Sequence, residues 1–403
     1  MCDHAGQPLQ RTSIEPPVRR RQAVVLSGGG AFGAFEVGVL RALAEGQCHA
    51  TLGPLDADTY TGTSVGAFNA AVMAIQSRDT LRASVHLEDL WTRRIAGGLV
   101  DNGVFRLRPN PASVLDPATV FRQNGRPVVE AATDAVQLAA GAAQRLGRLF
   151  LSTQSLQYRL ADLFNLESFI SVAPLEQLVR DTLPLADILD SRKVLKIATT
   201  DWKAGNLRVF SHDPANPARH MSERRGQITK DTWPLAVLAS AAIPAVFPKV
   251  LIGGDPHVDG GVVMNTPLKP AILAGADTIH LVYLTPNVDT RRAAWADPWP
   301  NTLETTGRAM SLAFAASVDA DVETADVINN LLESGIPHSR YRPLTVHLYN
   351  PSRSLGELTG LLDFRKSSIE KRIRIGYETA RHHDCEKERC LKPGQRRAPK
   401  TVD

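Results

Sequence analysis

Three short stretches carry residue types that could do chemistry together. "GTSVG", Gly62 to Gly66, places Ser64 between glycines two positions away on either side and fits G-x-S-x-G. "SGGGAFG", Ser27 to Gly33, is a tight glycine cluster. "HVDGGVVMNTPL" places Asp259 directly before Gly260 and Gly261. A serine on a sharp strand-to-helix turn has a strained backbone, and the residues two away must be small to avoid clashes. Such a turn lifts the hydroxyl clear of a sheet. The helix that follows aims the positive end of its dipole at the place where negative charge would develop.

Taken alone, the same pattern also fits a serine that merely caps a buried helix. The strand-like "ADTYTG" before it and the apolar run "AFNAAVMAI" after it favour the nucleophile. A serine nucleophile needs an oxyanion site, and the amides of Gly28, Gly29 and Gly30 have no side chains in the way. Gly28, Gly30 and Gly33 also satisfy G-x-G-x-x-G, the dinucleotide fingerprint. That fingerprint asks for an acidic residue about twenty positions on, at the end of the second strand. Asp56 and Asp58 come before that strand, so the dinucleotide reading is the weaker. The nucleophile also needs a base. A bare Asp-Gly-Gly is often only a turn, and no histidine stands in an obvious base motif. His257, two residues before Asp259, would share its face if the segment is extended.

The elements that must hold these groups are legible around them. "QAVVLS" from Gln22 reads as a buried strand running into the glycine loop. A helix follows with Val37, Leu40 and Ala44 on one side and Gly46 as its stop. A second strand enters Ser64, and a helix runs on to about Ser77. This order predicts a parallel sheet covered by helices. "SRKVLKIATTDWKAG" and "LRVFS" read as strand, turn and strand, with Asp201 a turn residue. "TIHLVYLTP" and "LTVHLYNP" read as further strands, and "SSIEKRIRIGYETARHH" as a final amphipathic helix. "PLAVLASAAIPAVFPKVLIGG", from Pro234, holds three prolines and Lys249. Lipid could not satisfy the carbonyls those prolines free, so it reads as core helix, turn and strand.

The chain has 403 residues and a net charge of +4, small for that length, and shows no zinc-finger, RNA-binding or basic-zipper pattern. A dedicated nucleic-acid binder is therefore not expected. The four cysteines, Cys2, Cys48, Cys385 and Cys390, are scattered and imply no disulfide framework. Residues 1–21 are polar and read as disordered, with no apolar signal segment after their arginines. Residues 110–165 are alanine-rich and read as a variable helical insertion that could serve as a lid. "HHDCEKERC", from His382, could hold a metal by residue type. It matches no common zinc spacing and reads instead as part of a loose, charged tail over 381–403. Trp295 and Trp299 fall in a proline-containing loop that could touch lipid.

In this order, the blocks "SGGGAFGAFEVGVLRAL", "GTSVGAFNAAVMA" and "LASAAIPAVFPKVLIGGDPHVDGGVVMNTPL" closely resemble the patatin-like phospholipase family. The resemblance runs from about Ala23 to Ala380. It implies a three-layer α/β/α fold with a mostly parallel central sheet, filling 22–380 as one acyl hydrolase domain. It implies a lipid acyl hydrolase of phospholipase A or lysophospholipase type, with a Ser–Asp dyad in place of a triad. By matching position Ser64 is the nucleophile, Asp259 the base, and Gly28, Gly29 and Gly30 the oxyanion loop. Gly62 and Gly66 flank the nucleophile, Gly260 and Gly261 complete the Asp-Gly-Gly turn, and Asn265 supports it. No metal or organic cofactor is implied. The partners expected are a lipid or membrane acyl-ester substrate and a membrane surface visited from the cytoplasm. Many family members carry Arg or Lys where this chain has Phe32, which removes a charge near the oxyanion loop. The alternative is an inactive lipid- or membrane-binding protein on the same fold.

Overall fold

In the computed structural model, residues 21–97 and 170–395 are described apart from short gaps (52, 77, 216–224, 245, 286–301, 336–340 and 357). Between 98 and 169 only Val104, Arg106–Leu107, the helical stretch 132–136 and residues 139–140 are described, so most of the expected helical insertion lies outside the described residues, as do Trp295, Trp299 and the segment before Arg21.

Strand β1 (Gln22–Leu26) shows why the sheet needs cover on both faces. Val24 and Leu26 enter one core, while Ala23 and Val25 enter the other. That alternation is the period of two of an extended chain, here with both faces apolar. β1 lies parallel to β2 (Thr59–Thr63) on one side and to β10 (Thr278–Val282) on the other. β11 (Thr345–Tyr349) extends the sheet beyond β10, and β5 (Val194–Asp201) extends it beyond β2, both parallel.

Past β5 the direction changes. β6 (Asn206–His212) and β9 (Asp255–Asp259) run antiparallel to β5, β7 (Arg225–Gln227) pairs with β6, and β8 (Val250–Ile252) makes a hairpin with β9. A separate two-residue pair, β3 (Arg106–Leu107) with β4 (Ile170–Ser171), lies apart from this sheet. The central sheet is thus mixed but mostly parallel, and helices flank it on both faces.

The first face is covered by α1 (Ala34–Ala44), α2 (Val65–Ile75) and α9 (Lys366–Arg381). The second is covered by α7 (Leu268–Leu273) and the 32-residue α8 (Thr302–Glu333). Between these come α3 (Thr80–Asp89), α4 (Ala173–Thr182), α5 (Leu185–Leu189) and α6 (Leu235–Ser240). α9 crosses α1 at backbone contact. A Cβ on Gly38 would sit 1.9 Å from the Ile373 carbonyl oxygen, and one on Gly376 would sit 1.9 Å from that of Phe35. Among the described residues no helix is long and apolar enough to cross a membrane.

The segment after Arg381 differs from the loose tail expected. Leu391 exchanges two backbone hydrogen bonds with Val346 of β11, at 2.8 and 2.9 Å, and His383, Cys390 and Leu391 are buried. β11 is the edge of the sheet, and its unpaired backbone groups take this segment as a partner. Local composition, charged and proline-containing, hides that long-range pairing.

Candidate active site

The glycine loop and Ser64 meet because β1 and β2 are adjacent and parallel. Leu26 registers with Gly62, so both turns leave the carboxyl end of the sheet side by side. Ligand sites of open α/β sheets lie in that crevice. A Cβ on Gly28 would stand 3.1 Å from the Ser64 Cβ.

Ser64 has φ 54° and ψ −126°, on the left-handed side that non-glycine residues avoid. Such a conformation costs about 1–3 kcal/mol and needs support from its surroundings. The Ser64 N–H donates to Ser240 Oγ at 2.8 Å, and the Ser240 hydroxyl donates to the Ala198 carbonyl at 2.6 Å. Gly62 and Gly66 are there for space. A Cβ at Gly62 would lie 2.1 Å from the Gly66 oxygen, and one at Gly66 would lie 2.6 Å from the Leu26 and Ser27 oxygens. The Ser64 side chain makes no cap bond to α2, so its hydroxyl is not occupied by the helix it precedes.

Asp259 arrives along the same edge of β5 that β2 occupies, just beyond the end of β2, while β6 takes the opposite edge. β2 places Thr63 opposite Ala198, and β9 places Asp259 opposite Thr199. One strand therefore brings the two side chains together from positions 195 residues apart in sequence. Gly260 fits beneath, where a Cβ would be 2.4 Å from the Ala198 oxygen. The Asp259 carboxylate accepts the Gly261 N–H at 2.7 Å, and its backbone carbonyl accepts the Thr200 hydroxyl at 2.9 Å. Burial pushes the Asp259 carboxyl up to about 7, against the smaller lowering effects of hydrogen bonds from the Gly261 amide and the Ser64 hydroxyl. His257 is turned elsewhere: its Nδ1 sits 2.9 Å from the Asp255 carbonyl and its ring lies against Phe210.

The glycine loop departs from expectation at one position. The Gly28 N–H donates to the Asn265 carbonyl at 3.1 Å, so Gly28 anchors the loop to the Asp259 turn and is not an available donor. Gly29 precedes the 3-10 turn Gly30–Gly33, whose first amides, like those of any helix start, lack partners within the turn. Asn265, expected to support the Asp-Gly-Gly turn, instead holds the glycine loop through its backbone carbonyl. Phe32 points away toward the carboxyl-terminal region, and the buried Arg372 of α9 stacks its guanidinium 4.9 Å over the ring. The cation missing at position 32 thus comes to the same neighbourhood from α9.

An apolar cavity opens from Ser64 and Gly30, walled by Phe68, Trp91, Phe247 and Phe364. Asp58, by contrast, bonds the Gln22 N–H at 3.0 Å, at the amino end of the sheet. It is remote from the glycine loop, and the dinucleotide reading loses its acidic partner.

The family model for patatin-like phospholipases matches residues 24–272, more than half of the chain. The chain belongs to the patatin-like phospholipase family. Among solved structures it is similar to VipD from Legionella pneumophila, at 16% identity and a TM-score of 0.34, covering 89% of this chain and 67% of that one. No curated protein matches it. The match ends at residue 272, inside α7. The patatin-like site described above nonetheless draws on parts beyond that point, since β10 is the second neighbour of β1 and α9 backs the glycine loop.

Ser240 and Arg372 were not singled out by sequence reasoning. Ser240 lies inside one of the quoted blocks, but its hydroxyl matters only because α6 lands between β5 and Ser64. Arg372 sits on an amphipathic helix among other charges, with no local sign that it would be buried.

Proposed function

We propose that the protein is a serine lipid acyl hydrolase of phospholipase A or lysophospholipase type, acting through a Ser64–Asp259 dyad. The supporting observation is a serine on a strained backbone, its hydroxyl not spent on capping α2 but directed to a buried carboxyl held near 7, at the mouth of an apolar cavity. Serine attacks poorly until a base takes its proton, and a base works best when its pKa lies near the working pH. An ordinary aspartate is too acidic for this, and burial corrects that.

In the reaction, Asp259 accepts the Ser64 proton as Oγ bonds to the ester carbonyl carbon. The oxyanion is received by the N–H groups of Gly29 and Gly30, and the positive end of α2 adds to its stabilisation. The tetrahedral intermediate collapses, the carbon–oxygen bond to the alcohol breaks, and Asp259 returns the proton to the departing alkoxide. Asp259 then takes a proton from water, hydroxide attacks the acyl-serine, and the fatty acid leaves as Ser64 is reprotonated. The fatty-acyl chain lies in the Phe68–Trp91–Phe247 cavity. Val262 and Val263, exposed directly after the Asp-Gly-Gly turn, are placed to contact a lipid surface beside the mouth. The hydrolase unit extends from residue 22 through the segment paired to β11.

The test is labelling with a fluorophosphonate probe and peptide mass mapping on wild type and Ser64→Ala, followed by a lipid panel. An adduct confined to Ser64, with acyl release lost in Ser64→Ala and Asp259→Asn, supports the proposal. Acyl release retained in a clean Ser64→Ala preparation refutes it. Vesicle binding without adduct or turnover, in folded protein with membranes present, supports the non-catalytic lipid-binding alternative.

A further inference from the structure

On the far edge of the sheet, four soft and borderline ligands converge. His347 is on β11; His383, Cys385 and Cys390 are in the segment that follows α9. One ligand atom from each lies within 4.8 Å of all the others. His347 Nδ1 is 3.4 Å from Cys385 Sγ, and His383 Nε2 is 3.5 Å from Cys385 Sγ and 3.3 Å from Cys390 Sγ. We propose that these four side chains form a closed tetrahedral zinc site that clamps the carboxyl-terminal segment to the edge strand β11.

The distances carry the argument. Zinc binds thiolate sulfur at about 2.3 Å and imidazole nitrogen at about 2.0–2.1 Å, so a regular N2S2 tetrahedron has nitrogen–sulfur edges of about 3.5 Å. The three nitrogen–sulfur separations above sit close to that value. Hydrogen bonding alone explains them less well. Both sulfurs approach the same nitrogen of His383, whose single lone pair can accept only one S–H properly. A common metal ion between them accounts for both approaches at once.

The surroundings also fit. His347, His383 and Cys390 are buried and Cys385 is half-buried, which leaves a short route for the ion. The Leu348 backbone N–H donates to Cys390 Sγ at 3.3 Å, an interaction that favours thiolate over thiol. Two thiolates with two imidazoles select zinc over the oxygen-seeking cations. Four protein ligands leave no open position, so the role is structural. Binding releases the two thiol protons to solvent as the two zinc–sulfur bonds form. His347 comes from β11 and the other three from the segment after α9, which is why no spacing motif marks the site.

The experiment uses the full chain, purified under reducing conditions without a metal-affinity tag. Elemental analysis should find a single zinc per chain, and Cys48→Ser should keep it. The double variant His347→Ala, Cys390→Ser should lose it. Since that variant could fail to fold, wild type is also stripped with a chelator and titrated with zinc chloride. The stripped protein should melt lower, recover on stoichiometric zinc, and release protons as it does so. Cobalt in place of zinc should give the intense visible absorption of a tetrahedral thiolate complex. Folded, reduced wild type that takes up no zinc, with no change in melting, overturns the proposal. So does full zinc retention in a folded double variant. Ser64→Ala should bind zinc as wild type does, so this outcome is independent of the proposed hydrolase activity.

Discussion

The pH dependence of acyl transfer should follow Asp259. Its carboxyl stands near 7 in the fold against an ordinary value of 3.8, chiefly through burial. Only the ionised form can take the Ser64 proton. The rate constant kcat/KM should therefore rise about tenfold per pH unit up to about 7 and level off above it. At pH 5 it should be about one hundredth of the plateau. An unshifted aspartate would instead hold the plateau down to about pH 4. The same shift acts on stability, with the opposite sign. A raised folded-state value means that the contribution is intact below 3.8 and is lost as pH climbs to about 7. The full loss is up to ~4 kcal/mol, from about three pH units at ~1.4 kcal/mol each. Asp259→Asn keeps an acceptor for the Gly261 N–H and removes the charge. It should unfold together with wild type near pH 4 and be the more stable protein near pH 8, while inactive at both. Initial rates on a soluble short-chain ester across pH 5–9, with denaturant melts at the two ends, measure both. A flat rate profile from pH 5 to 8, or an Asp259→Asn variant no more stable at pH 8, would refute the view that burial tunes this group.

Three other substitutions test the neighbourhood. Ser240→Ala leaves the Ser64 N–H and the Ala198 carbonyl without their partner; it should lower stability by ~1–3 kcal/mol and reduce kcat more than it changes KM, read by melts and steady-state kinetics. Glu36, fully buried beside Asn69, has its carboxyl raised well above the ordinary range by desolvation, so it contributes most at low pH and less as pH rises. Glu36→Gln should therefore raise the melting temperature near pH 8 and leave it unchanged near pH 4. Ile243→Phe narrows the cavity above Ser64 and should shift preference toward shorter acyl chains in an ester series. An equal loss at every chain length would count against that cavity as the acyl site.

How far these features could be read in advance depends on how local their causes are. β1, the glycine loop, β2 and Ser64 form a continuous strand–turn–helix pattern, and their apolar runs and glycines announce it. The strands at 194–201, 278–282 and 345–349 were legible for the same reason. α8 was not read at all. Among the described residues its buried face is Ala315, Val318, Val322, Ala325 and Asn329, short side chains and one amide that give a faint apolar stripe. Asn329 belongs there because it bonds both backbone groups of Leu344, a contact no local pattern announces. The occupied Gly28 amide depended likewise on the distant chain at Asn265. The charged segment after His382 looked solvated until β11 was laid beside it.

The crossing of α1 and α9 has a consequence for dividing this chain. The stretch recognisable as patatin-like ends at residue 272, yet a protein shortened there would strip β1 of its β10 neighbour and expose the backbone groove between Gly38 and Gly376. The helix that follows the glycine loop would then have bare solvent where another helix belongs. What a family profile can recognise and what can stand alone as a folded body are thus different lengths of the same polypeptide. In any library of variants, positions 38 and 376 should tolerate change together or not at all, because a side chain on either one pushes the two helices apart.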